Sequence, residues 1–395
     1  MFDRRPTGLQ AFKGHAGEPL ARLNACEGFA RSLMIGLIPL LALEALGSKE
    51  MVTRAYLGAS LLTLLITLNF ASLERWLQRR WVFTLGGGFT LTAITILAFG
   101  EAWVMAIAIG LQSAGASLFS VCLSLYIMDY IGKKELIFTA SKRLLYTGIA
   151  WMIGPMLGLW LWDEIGHWAP LLLSAWTACI MLSFFWYLRL GHSAVIKKAK
   201  RPSVNIFKII PRYFSQPALR IAYWITLSRA IFWMTVFIYG PIYVVESGLP
   251  TWVAGVFLSI VSSLLIISPL IRRLASRFGT RPVIICALSS TGIAMVALFV
   301  IGEAKPIGLL FWVLASIGGA VVDVLGNIPF MRLVKPRERT EMTMIFSTWR
   351  EGSQLMTPLL VSLVLLVAPF EVFYLLLAAI LLSAASVATF LPRRL

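Results

Sequence analysis

Six ionisable residues stand inside long apolar runs of this 395-residue sequence: Glu27, Arg31, Arg229, Asp323, Arg350 and Glu351. In hydrocarbon an Arg, Lys or Asp costs about 2.5–3.5 kcal/mol even on lenient insertion scales, so such residues are retained for a reason. Two chemistries fit them. The planar fork of arginine matches a carboxylate or phosphate, so Arg31 and Arg229 could grip an anion. Alternatively the acids and bases pair with one another, and their formal charges do sum to zero. Glu27 and Arg31 are spaced i, i+4 with the acid first, the favourable order on one helix. Arg229 stands one repeat after Glu27 and is shallow enough to snorkel. Zero net charge favours pairing, with a gating or structural role. Asp323 is the candidate proton carrier, unless a standing bridge to Arg350 holds it.

Polar stripes run beside these charges. Ser113, Ser117, Ser120 and Ser124 step by four, three and four residues and so share one helix face. Ser316, Ala320, Asp323 and Asn327 repeat that spacing later in the chain, and Thr343, Ser347, Arg350 and Gln354 form a third such face. Small residues at this spacing also serve helix packing, but packing explains Asp323 and Asn327 poorly. Trp233 and Phe237 could line an apolar pocket. His15, His167 and His192 are too scattered to hold a metal, and the four cysteines form no CxxC pair. No glycine-rich loop suits a phosphate. We therefore expect no metal and no cofactor, and no drive from ATP.

The elements that carry these residues are membrane helices. Hydrophobic residues make up 59% of the chain and charged residues only 13%, against roughly 25% in a soluble domain. Twelve apolar segments can be drawn, at 25–46, 52–73, 81–99, 103–128, 143–162, 168–188, 219–245, 251–271, 283–301, 306–330, 343–367 and 370–391. The formal charge of +17 could suggest nucleic acid. Its placement argues for topology instead, since only Lys49, Arg54 and Lys305 fall on the outer side. That positive-inside bias puts both termini in the cytoplasm. The first 24 residues show no signal peptide. Counted from the outer-end Glu44 and Glu246, Arg31 and Arg229 lie about 20 and 26 Å down their helices, in the inner half.

A shift of 202 residues superimposes Pro39 on Pro241, Glu44 on Glu246, Arg75 and Arg79 on Arg277 and Arg281, and Gly100-Glu101-Ala102 on Gly302-Glu303-Ala304. Two parallel six-helix repeats follow, an arrangement that places a binding site near the bilayer midplane. Leu274-Ala-Ser-Arg-Phe-Gly-Thr-Arg-Pro282 resembles the cytoplasmic loop signature of the major facilitator superfamily, written G-x-L-a-D-R-x-G-R-R, with Ser276 in place of the acid. Glu74-Arg75-Trp76-Leu77-Gln78-Arg79-Arg80 is a weaker counterpart, with Glu for Asp and Leu77 for Gly. Gly154-Pro155-Met156-Leu157-Gly158 is similar to the G-P-x-x-G motif of the family's antiporters. Gln112 matches its R-x-x-Q-G motif, but Ile109 takes the arginine's position.

The resemblance implies an all-α fold of twelve transmembrane helices in two six-helix halves. It implies a cytoplasmic latch drawn from Glu74, Arg75, Asp129, Arg143, Arg277 and Arg281, and a cavity lined by spans 1, 4, 7 and 10. Gly154, Pro155 and Gly158 would form a helix-packing motif. Substrate or coupling candidates are Arg31, Gln112, Arg229, Trp233, Asp323, Asn327 and Arg350. The expected organisation is a tail at 1–24, halves at 25–190 and 218–395, and a basic linker at 191–217. The expected activity is secondary active transport of a small solute by alternating access, coupled to protons, with efflux slightly favoured. Organic-anion uptake or exchange through an arginine-lined site is a second possibility, and a membrane assembly or lipid-handling protein a third. Besides solute and protons, the expected partner is the lipid bilayer, not nucleic acid, for a monomer in a bacterial inner membrane.

Overall fold

Apolar runs of about 20 residues can satisfy their backbone in hydrocarbon only as helices or closed barrels. In the computed structural model, which describes residues 17–130, 133–188, 206–334 and 338–392, they are all helical. The first half comprises α1 Gly17–Ile35, α2 Leu37–Leu46, α3 Lys49–Leu68, α4 Phe70–Phe99, α5 Met105–Tyr130, α6 Lys133–Glu164 and α7 Trp168–Tyr187. The linker helix α8 Ile206–Phe214 follows. The second half comprises α9 Pro217–Glu246, α10 Thr251–Ser263, α11 Ser268–Phe278, α12 Thr280–Ile301, α13 Gly308–Leu325, α14 Ile328–Leu333, α15 Arg339–Phe346, α16 Trp349–Leu365 and α17 Glu371–Ala388.

Among the described residues, ten helical segments are long and apolar enough to cross a bilayer by themselves, and the α10–α11 pair, bent by 44°, makes an eleventh if it is one span. Helix α16, at 17 residues, occupies the place of the remaining expected span. The first span starts at Gly17 instead of 25, because residues 18–24 are tied to α6 as described below. The expected spans at 251–271 and 343–367 are each broken. A 3₁₀ turn at Leu264–Ile267 divides the former, and Ser347–Thr348 separate α15 from α16 in the latter. The sequences 1–16 and 191–205, the greater part of the expected tail and linker, lie outside the described residues.

The chain divides into two compact units, 1–200 with Thr251–Ser259, and 201–250 with 260–395. In the first unit α1 and α6 run parallel in a fixed register. Asn24 meets Thr147, Gly28 meets Trp151, and Ser32 donates to Ala150 O at 2.9 Å. A Cβ on Gly154 would overlap Ser32 Oγ, and one on Gly158 would overlap Leu33 O, so only glycine lets the two backbones approach this closely. Thr251–Ser259 join this unit at the proline of α6. Ser259 Oγ accepts from Met156 N at 3.1 Å, and Asp163 accepts from Trp252 N at 2.8 Å, serving an otherwise open donor at the start of α10.

In the second unit α9 and α13 run antiparallel, and their contacts are successive rungs. Phe232 packs over Gly319, Arg229 meets Asp323, and Thr226 reaches Gly326 O at 3.4 Å. Helix α8 seats on a cluster of α9, α14 and α15 that includes Leu219, Phe330, Met342 and Phe346. Tyr213 is wholly buried there and donates to Leu219 O at 3.1 Å; burial pushes its phenol above the usual range, so it stays a donor. Arg212 Nη2 donates to Glu338 Oε1 at 2.5 Å and Gln216 Nε2 to Oε2 at 3.1 Å.

Positive-φ positions repeat between the halves. Gly47 (73°) answers to Gly248 (80°), Gln78 (62°) to Gly279 (90°), and Gly100 (67°) to Gly302 (73°). The offsets are 201, 201 and 202 residues. Only Gly166 has no counterpart among the described residues.

Candidate functional site

Five of the six charges within the apolar runs fall into two groups, Glu27 with Arg31 in the first unit and Arg229, Asp323 and Arg350 in the second. In the second, α9 carries Arg229 and α13 carries Asp323 to the same rung, where Arg229 Nη1 donates to Asp323 Oδ1. Arg229 is only 6% exposed, so it does not snorkel as its shallow position suggested. Its guanidinium also lies 4.8 Å from the centre of the Trp349 ring, and the exposed Arg350 lies over the same ring at 5.7 Å. Asp323 thus pairs with Arg229 instead of Arg350. Register decides this: Gly319, one turn from Asp323, admits the ring of Phe232, which a Cβ there would overlap, and this sets Arg229 opposite the acid.

Three polar atoms beside this pair have no hydrogen-bond partner among the described residues: Arg229 Nε, Trp233 Nε1 and Asn327 Oδ1. Trp233 stands one turn from Arg229 and Asn327 one turn from Asp323, so all four lie along the α9–α13 seam. Buried polar groups are normally satisfied, and exceptions of this kind are where a ligand finds its partners. Elsewhere on this stripe Ser316 and Ala320 are wholly buried, and Ser316 bonds back to Trp312 O at 2.8 Å. That part of the stripe is packing, not an open wall.

In the first unit, Glu27 and Arg31 form the expected intrahelical pair at 3.2 Å, off hydrogen-bonding geometry, since Arg31 Nε makes no hydrogen bond. Arg31 lies 5.2 Å over Trp151 with its side chain 38% exposed, whereas Glu27 is 13% exposed. Arg143 Nε donates to Asn24 Oδ1 at 3.0 Å, and Glu18 accepts from Lys142, from Tyr146 at 2.6 Å and from Arg22 at 3.2 Å. Gln112 is buried on α5, its Oε1 unpartnered among the described residues. On the same helix Ser117 bonds Thr67 at 3.0 Å.

Of the latch candidates, Glu74 accepts from Arg79 at 2.8 Å, and Arg79 lies over Tyr126 at 5.4 Å. The side chains of Arg75 and Asp129 lie outside the described residues. Arg277 and Arg281 hold no acid among the described residues, and Arg277 lies 5.4 Å over its neighbour Phe278. Gly154 and Gly158 line the α1 contact already described, whereas Pro155 O faces Gly255 of α10. Sequence reasoning missed Asn24, Trp151, Trp349 and Glu338. An aromatic next to an intramembrane arginine was the available signal for Trp349; Trp151 meets Arg31 from another helix and had none.

The sequence matches the family description Major Facilitator Superfamily over residues 20–271 and 263–395. The chain belongs to that superfamily and is a membrane transporter, not an enzyme. Among solved structures it is similar to a POT family transporter in complex with 5-aminolevulinic acid, with 13% identity, a TM-score of 0.75, and 98% of this chain and 97% of that one covered. It is also similar to the nucleoside transporter NupG, with 14% identity, a TM-score of 0.73, and 94% and 98% covered. A third is a bacterial homologue of the iron transporter ferroportin in its inward-facing state, with 18% identity, a TM-score of 0.67, and 95% and 96% covered. At these identities the likeness shows the fold alone. Comparison with curated proteins gives no match.

Proposed function

We propose that the protein moves a small, acceptor-rich solute by alternating access, coupled to protons at Asp323. The buried Arg229–Asp323 pair, with unspent donors beside it at Arg229 Nε and Trp233 Nε1, carries this reading. Protonation of Asp323 removes the charge that holds Arg229, and the released guanidinium then offers its fork to a carboxylate, phosphate or carbonyl of the solute. A buried pair costs more in desolvation than a surface one and is weak evidence for a purely stabilising role. The G-P-x-x-G motif tilts the direction towards efflux. The neighbours' solutes span nucleosides and 5-aminolevulinic acid, so the class of solute here is argued from the donors alone. The half-buried Arg31 over Trp151 supports the narrower alternative of organic-anion exchange. We further propose a monomer in a bacterial inner membrane with both termini cytoplasmic.

Flux in proteoliposomes across a panel of anionic and neutral solutes tests the proposal. Asp323→Asn is expected to abolish accumulation driven by a pH gradient while sparing exchange down a concentration gradient. Arg229→Lys keeps the charge but loses the fork, and is expected to weaken transport tenfold or more, about 1.4 kcal/mol. Undiminished gradient-driven flux in Asp323→Asn would refute the coupling.

A further inference from the structure

The inner-end helix α11 carries a row of arginines that no acid among the described residues neutralises. In the first half, Glu74 takes up Arg79 at 2.8 Å. In the second half Ser276 stands in the acid's place and spends its hydroxyl on Arg273 O at 2.8 Å. Arg272, Arg273 and Arg277 are exposed and Arg281 half-buried. None of these four arginines has an ion pair among the described residues.

The outward face of α11 is ordered as well as charged. Ile271 points inward, 2% exposed. Leu270, Leu274 and Phe278, four residues apart, form an outward row at 54%, 41% and 59% exposure, and Ile266 extends it at 61%. Arg273 and Arg277, also four apart, form the row beside it. Apolar side chains and guanidiniums thus run in parallel along one helix that bends 44° away from α10. Such a helix suits the edge of the hydrocarbon, its apolar row among acyl chains and its basic row at headgroup depth.

We infer that α11 seats an anionic phospholipid, its phosphate between Arg273 and Arg277 and an acyl chain along Leu270, Leu274 and Phe278. Guanidinium is the group best matched to a phosphate diester, through paired hydrogen bonds and charge together. An acid at position 276 would have consumed that charge within the helix. The inference shares with the proposed function only the cytoplasmic placement of this helix end.

Native mass spectrometry of the purified full-length protein tests it, with phosphatidylglycerol or phosphatidylcholine added to the detergent. The wild type is expected to retain phosphatidylglycerol preferentially. Each arginine neutralised should lower retention about fivefold, and Arg273→Gln/Arg277→Gln roughly 25-fold. Ser276→Asp removes no arginine yet should lower retention several-fold, by supplying the missing acid on an exposed surface position. A melting curve for each variant separates loss of the site from loss of the fold. Equal retention of the two lipids, or retention unaltered in both variants, overturns the inference. So does displacement by millimolar inorganic phosphate, which would make the rows a site for free anion. Lipid retention in detergent is read independently of flux, so it can fail while proton coupling stands, and the reverse. Labelling of Arg273→Cys and Lys49→Cys in whole cells tests the cytoplasmic placement separately.

Discussion

Arg229 and Asp323 are worth more as a pair than apart. Removing one partner of a buried ion pair leaves the other charge uncompensated, at about 3–5 kcal/mol, whereas replacing both with apolar residues is often neutral or better. Asp323→Ala is therefore expected to lower the melting temperature in detergent markedly. Arg229→Met/Asp323→Leu should recover most of that stability and none of the transport. A double variant that still transports would show the pair to be scaffolding. Gln78 makes an opposite case. Its backbone (φ 62°, ψ 150°) lies where essentially only glycine is at ease, and its counterpart in the second half is Gly279 at φ 90°, ψ 150°. Gln78→Gly should stabilise the protein by about 1 kcal/mol, read as a higher melting temperature. The balance of the charges could be read from the sequence alone. Their partners could not: which carboxylate meets Arg229 depends on how α9 lies against α13, and the small residue that sets this, Gly319, carries no chemical signal of its own.

Among the elements, α6 is defined by its contact with α1. Gly158 faces backbone, Leu33 O, which has no softer way to yield than by separating the helices. Gly158→Val should accordingly cost most of the folded yield, whereas Gly148→Val, whose Cβ would meet nothing within 4 Å, should not. Fluorescence-detected size exclusion would separate the two. Helix α8 depends on two hydrogen bonds to one carboxylate and on one buried tyrosine. Glu338→Ala is expected to speed deuterium exchange over 206–216 and leave α1–α6 unaffected. The glycine–proline motif was legible because its residue types state their own reason. The break at 264–267 was legible too, though the expected span ran through it: Pro269, in the first turn of α11, cannot donate a helical hydrogen bond back to residue 265.

For the whole molecule, the division into two six-helix halves was legible because punctuation outlasts side chains: a chain reversal needs its glycine whatever solute is carried. The grouping of Thr251–Ser259 with the first unit was not, because sequence order assigns them to the second half. A fragment of residues 1–200 would lack Ser259 and leave Met156 N without that acceptor. It should melt lower alone than when co-expressed with 201–395, and equal melting would count against a contribution from this segment.

The change of offset from 201 at Gln78/Gly279 to 202 at Gly100/Gly302 means that one residue was gained or lost within the helix between those points. Inside a helix, a single insertion turns everything beyond it by about 100°. The arginines that line up by letter, Arg79 with Arg281, are then not the ones that match by backbone, where Arg80 answers to Arg281. Anyone transplanting a substitution from one half to the other should count from the nearest left-handed residue instead of from the aligned motif. A variant one position out would probe the neighbouring face of the helix.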